Sequence, residues 1–299
     1  MNETSHKRKI YSVTLRGTVV NVVLMVLKFA AGIIGHSSAI IADAVHSLSD
    51  LLTDLIVLIT VKMSSKPRDK SHDYGHGKIE TLATSIVGLF LMVVGFFICY
   101  NGLRDMIHAF QGMPLERPGY IALIAAVVSI ILKEWAYRFT IKTARETGAL
   151  IVSANAWHHR SDALSSIGTS IGICGAIFLG ERWRVLDPIT SIIVSIFIMK
   201  VAYGLIASAV SELLEGSLPD EVEREIIDIA NNEEGVSDVH HLMTRKIGKI
   251  IAIEMHIRVS PTMPVSQAHE HATHIEQSLR QRFGEDTHVG IHIEPQKEG

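Results

Sequence analysis

The ten residues Asp43-Ala44-Val45-His46-Ser47-Leu48-Ser49-Asp50-Leu51-Leu52 set the architecture, because their pattern returns later in the chain as Asn155-Ala156-Trp157-His158-His159-Arg160-Ser161-Asp162-Ala163-Leu164. The shared signature is Asp/Asn-Ala-x-His-x-x-Ser-Asp-x-Leu. Each copy lies inside an otherwise apolar run. In the apolar run that holds the first copy, Asp43, His46, Asp50 and Asp54 fall within an arc of roughly 80° on a helix of 100° per residue. Ionisable groups at membrane depth are costly and face a bundle interior or a water-filled cavity. The competing reading is a solvated face on a soluble amphipathic helix. The apolar opposite face and the apolar neighbouring runs count against it.

Along the rest of the chain, six stretches are long and apolar enough to span a bilayer as helices: 11–34, 38–62, 79–103, 118–140, 149–179 and 187–213. Arg16, Lys28, His158 and Asp162 interrupt the first and fifth. The basic residues segregate. Lys7, Arg8 and Lys9 precede the first span; Lys62, Lys66, Arg68, Lys70 and Lys78 bracket the link between the second and third; Arg138, Lys142 and Arg145 lie between the fourth and fifth. These ends are expected in the cytoplasm, which places both termini there in a multi-pass cell (inner) membrane protein. No short apolar core with a cleavage site follows the polar N-terminus, so no signal peptide is expected.

Composition agrees with a chain divided into a lipid-facing part and a water-facing part. Hydrophobic residues make up 47% although 20% are charged, and mean hydropathy is +0.28. A net charge of -3 argues against a nucleic-acid binder. Cys99 and Cys174 both lie in apolar stretches and form no metal or redox motif. After Glu215-Gly216-Ser217-Leu218-Pro219 the chain turns soluble. Asp220 to Asn231 reads as an acidic amphipathic helix and Pro264 to Phe283 as a second helix. Ile251, Ile253, Met255, Ile257 and Val259 alternate with polar residues, as do Val289, Ile291 and Ile293, giving two strands with one buried face each. The expected fold is therefore an α-helical membrane protein of six transmembrane helices (residues 1–215) followed by a cytoplasmic α+β domain (residues 216–299).

The four-residue spacing puts His46 and Asp50 one turn apart on one side of a helix, and His158 and Asp162 likewise. Two such helices facing each other supply two nitrogens and two carboxylate oxygens, a donor set that suits tetrahedral Zn²⁺. The carboxylates also offset the ion's charge in a low-dielectric interior. The alternative is a buried His–Asp network with a structural role.

Taken together, these features resemble the cation diffusion facilitator family over almost the whole chain. The resemblance implies that His46, Asp50, His158 and Asp162 are a transport site, and that Zn²⁺ leaves the cytoplasm in exchange for protons. It also implies a homodimer, joined through the cytoplasmic domain and the transmembrane helices, working by alternating access, with no enzymatic activity. The tail would then be a ferredoxin-like, metallochaperone-like domain, with Zn²⁺ as regulatory ion as well as cargo. A histidine at position 46 resembles the zinc-preferring members. Cd²⁺, Fe²⁺, Co²⁺, Ni²⁺ and Mn²⁺ are the alternative cargoes, and a non-transporting metal sensor is the alternative role. An intramembrane metallohydrolase needs a motif such as H-E-x-x-H, which is absent. So is a Gly-rich phosphate loop, which argues against direct ATP drive. Asp43 and Asp54 lie on the stripe outside the four-residue match; lining the ion path and making structural polar contacts both remain open for them.

Two further sites follow from the resemblance. In the loop between the second and third spans, Asp69, His72 and His76 have ligand spacing for one metal, with Gly75 and Gly77 permitting a tight backbone. Read without the family, this is a polar loop with two exposed histidines. In the tail, which holds eight of the sixteen histidines, His240, His256, His269, His292 and Glu294 match a cytoplasmic metal site of the family. His292 and Glu294 share a strand face. Glu294 stands where a family member has Asp, and His241 also occupies an Asp position, so either His240 or His241 is the tail ligand. His271, His274 and His288 are expected to be surface residues. Lys78 and Glu215 match positions that form an ion pair in related proteins.

Overall fold

The computed structural model describes residues 3–64, 69–147, 150–248 and 250–296. Lys66 and Arg68 of the expected basic loop lie outside the described residues. These begin with six long helices: α1 (Glu3–Ile34), α2 (Ser38–Ser64), α3 (Lys78–Phe110), α4 (Tyr120–Thr147), α5 (Leu150–Phe178) and α6 (Leu186–Leu213), with a 3-10 turn (Glu181–Val185) before the last. Among the described residues five of these helices are long and apolar enough to cross a membrane. The remaining one, α2, carries the charged stripe. Large apolar side chains such as Leu89, Phe96 and Phe97 of α3 point outward, as they do in a helix facing lipid.

Small residues at helical spacing hold the bundle together. Along α4, Ala122, Ala126, Ser129, Ala136 and Thr140 are all fully buried, and such residues let helix backbones approach closely. On α1, a Cβ at Gly32 would stand 2.6 Å from the Ile41 side chain of α2. The start of α2 is fixed by a residue distant in sequence. The Asp187 carboxylate accepts hydrogen bonds from the N–H groups of Ser38 (2.7 Å) and Ala39 (3.4 Å) and from the Ser37 hydroxyl (2.5 Å). It thereby satisfies donors that no helix can pair internally.

The tail runs α7 (Asp220–Asn231), β1 (Asp238–Ile247), β2 (Ile250–Val259), α8 (Val265–Phe283) and β3 (His288–Pro295). β2 is central, antiparallel to β1 and parallel to β3, a ferredoxin-like ββαβ arrangement on three strands. The expected helices and the two alternating strands are present with nearly the expected limits. The alternation of β2 buries Ile253, Met255, Ile257 and Val259 against Ile226 and Ala230 of α7 and Ala268, Ile275 and Leu279 of α8. Each such large aliphatic side chain contributes roughly 1.5–3 kcal/mol by leaving water. Helix α7 starts after Pro219, which has no side chain able to cap its first turn. Thr244 of β1 ties that turn to the sheet instead, accepting the Leu218 N–H and donating to Glu223.

Contacts divide the chain into two units, Met1–Leu55 with Val87–Gly204, and Ile56–Ile86 with Leu205–Gly299. The second unit thus groups the tail with the adjoining ends of α2, α3 and α6. Within it Gly77 lies against the β1–β2 turn, where a Cβ would stand 2.5 Å from the Ile247 carbonyl oxygen.

Candidate metal sites

Helices α2 and α5 bring the two repeats together. One donor atom each from His46, Asp50 and Asp162 lies within 4.8 Å of the others. His158 Nε2 is 3.9 Å from Asp50 Oδ2 and 3.8 Å from Asp162 Oδ2. Asp50 and Asp162 are largely buried, whereas His158 stands at the open side of the cluster. The donor set is two imidazoles and two carboxylates, and a small inward movement would close it around one ion of the Zn²⁺ class.

Two lysines accompany the carboxylates, and the sequence pattern alone gives them no role. Lys133 of α4, 1% exposed, places Nζ 2.5 Å from Asp162 Oδ2. Lys28 of α1 pairs with Asp43 at 2.8 Å, both 1% exposed. Its amine also donates to the hydroxyls of Ser47 and Ser166, and Ser166 donates to Asp43. Asp43 is therefore held in a structural ion pair. Asp54 lies outside the residues whose side chains are described. A signal for both lysines exists: Lys133 continues the buried Ala122–Ala126–Ser129 seam of α4, and Lys28 continues the Asn21–Leu24 seam of α1. His159 points toward Gly17 of α1, where a Cβ would lie 3.0 Å from its Nε2.

In the loop, the Asp69 carboxylate stands 3.6 Å from His72 Nδ1 and 3.5 Å from His76 Nε2, and the three donors form one cluster. Gly75 adopts φ +82° at the turn between them, a conformation that favours glycine. The Ser71 hydroxyl, and then the Ser71 and His72 N–H groups, bond Asp69 and lower its pKa to about 2. Lys78 pairs with Glu215, which also meets Arg245 at 2.9 Å.

In the tail, strand register aligns His240 with His256 and His256 with His292. This puts three imidazoles in a row on the sheet face opposite the apolar core. Glu294 bonds His240 Nε2 (3.2 Å) and His256 Nδ1 (3.0 Å). Its partial burial raises the pKa, but the hydrogen bonds and charges of His256 and His240 outweigh that and hold it below the usual range. His292 joins by its ring, 4.6 Å from that of His256. Of the two candidate neighbours, His240 is the one that contacts Glu294; His241 sits at a bulge with φ 48°, its ring 5.1 Å from that of His256. His269 is exposed and outside this cluster, because α8 packs on the opposite, apolar face of the sheet. His288 packs edge-on against Tyr74.

His271 is mostly buried, unlike the surface position expected of it, whereas His274 is exposed as expected. Both converge on Glu233, just beyond α7. Burial raises the Glu233 pKa, and the hydrogen bonds from His271 and His274 more than reverse this.

Comparison with known proteins identifies the family. The family model of the cation efflux transmembrane domain matches residues 14–214, and that of the cation efflux protein cytoplasmic domain matches residues 218–296. The chain belongs to the cation efflux family. The manganese efflux system protein MneP of Bacillus subtilis is 31% identical over 287 residues, covering 95% of each chain. The cation-efflux pump FieF of Citrobacter koseri is 31% identical over 302 residues, covering 99% of this chain and 95% of that one. Metal tolerance protein C1 of Arabidopsis thaliana is 33% identical over 291 residues, which is 93% of this chain and 61% of the plant protein.

Proposed function

We propose that this chain exports Zn²⁺ from the cytoplasm in exchange for protons, with His46, Asp50, His158 and Asp162 as the transport site. The observation that carries this reading is the meeting of those four side chains from α2 and α5. Imidazole binds a metal only when it is deprotonated, so zinc entry releases protons and protons on the far side displace zinc. Lys133 serves as the internal partner of Asp162 when no ion is bound. A nitrogen-containing site favours Zn²⁺ and Cd²⁺ over Mn²⁺, which prefers oxygen donors. The Bacillus relative is named for manganese, so Mn²⁺ is the cargo to compete first, followed by Fe²⁺, Co²⁺ and Ni²⁺.

In this reading residues 1–215 form the six-span transport domain, with both termini in the cytoplasm, and residues 216–299 form the metal-binding dimerisation domain. Asp69, His72 and His76 hold a second ion. His240, His256, His292 and Glu294 hold cytoplasmic metal, and the exposed His269 is available to a second copy of the chain. Zinc uptake into proteoliposomes under a pH gradient tests the proposal. Asp50→Ala or Asp162→Ala should abolish it, and retained uptake in either variant refutes the site.

A further inference from the structure

We propose that Glu233, His271 and His274 form an additional binding site for a divalent transition metal, distinct from the three sites above. His271 and His274 are three residues apart on α8 and so project from neighbouring positions of one helix face. Their Nδ1 atoms lie 2.8 Å and 3.1 Å from the same atom, Oε1 of Glu233. The donor atoms form one cluster. His271 and Glu233 are mostly buried and His274 is half-exposed, which leaves one side open for water to complete a tetrahedron.

The backbone around the trio is shaped to hold it. Gly235 adopts φ +89°, and a Cβ there would lie 3.1 Å from His271 Nε2. The glycine lets the chain turn back against the imidazole while keeping Glu233 over α8. Two nitrogens and one carboxylate suit Zn²⁺, Co²⁺ or Ni²⁺ better than Mg²⁺ or Ca²⁺, which take oxygen ligands. The site lies in the helical layer, whereas the His240–His256–His292 row lies on the other face of the sheet, across the apolar core. An ion here would clamp the end of α7 to the middle of α8.

The test is histidine-resolved carbethoxylation of the full chain in detergent, read by peptide mass spectrometry with and without Zn²⁺. A metal on Nδ1 leaves Nε2 protonated, so both ring nitrogens become unreactive. With zinc at about ten times Kd, labelling of His271 and His274 should slow about tenfold by mass action. Glu233→Gln should remove most of that protection; should this variant not fold, His274→Gln read at His271 serves instead. Unchanged labelling on adding zinc, or full protection in the folded variant, overturns the proposal. The readout does not involve flux, so it stands or falls separately from the transport site.

Discussion

Replacing Lys28 by Met, Asp43 by Asn, and both together separates structural charge from cargo-binding charge. At 2.8 Å and an effective dielectric of about 20, the gross attraction is about 6 kcal/mol. Desolvation of two buried ions offsets much of it, but removing one partner strands the other and costs about 3–5 kcal/mol. Among the described residues, Lys28→Met leaves Asp43 with the Ser166 hydroxyl, while Asp43→Asn leaves Lys28 with Ser47 and Ser166. Lys28→Met should therefore be the worse of the two. In thermal unfolding of the purified chain, each single variant should lower Tm by roughly 6–20 °C. The double variant should recover most of that loss and retain zinc flux. Additive losses would refute the paired-charge reasoning. A stable double variant without flux would place Asp43 on the ion's route.

Lys133→Met removes a tethered cation that incoming metal has to displace from Asp162. Zinc affinity at the transport site, measured by calorimetry, should rise by about tenfold or more, equivalent to roughly 1.4 kcal/mol; equal or weaker binding contradicts that role. The Asp69 pKa of about 2 lies below its ordinary value of about 3.9. Its contribution to the loop is thus complete above the ordinary value and lost only as pH falls through about 2. Asp69→Asn should accordingly weaken zinc binding at the loop at about pH 7, where the carboxylate is fully ionised, and unchanged binding in that variant would refute its place among the ligands. Gly77→Ala forces a Cβ against the Ile247 carbonyl, and a Tm lower by the equivalent of about 1–3 kcal/mol is expected.

Periodicity made most of the fold legible, because apolar runs and strict alternation report burial directly. β1 escaped it. Its positive-φ residue His241 and the register shift between His240 and Met243 break the two-residue period, so no strand is read over Asp238–Ile247 from alternation. The His–Asp cluster between α2 and α5 was visible because a repeated motif states both partners. Lys28 and Lys133 were harder to assign, since a lone lysine in an apolar span gains meaning only from the seam it continues. Glu233 was invisible for a different reason: its meeting with His271 and His274 depends on how α7 packs beside α8, which no local pattern encodes.

The decisive experiment for the shared ion site is a crystal structure of the zinc-loaded chain with anomalous data at the zinc edge. An anomalous peak is expected between α2 and α5, about 2.0–2.2 Å from nitrogen or oxygen atoms of His46, Asp50, His158 and Asp162. Zinc on the loop and tail alone, with no peak between those helices, would contradict the transport-site assignment.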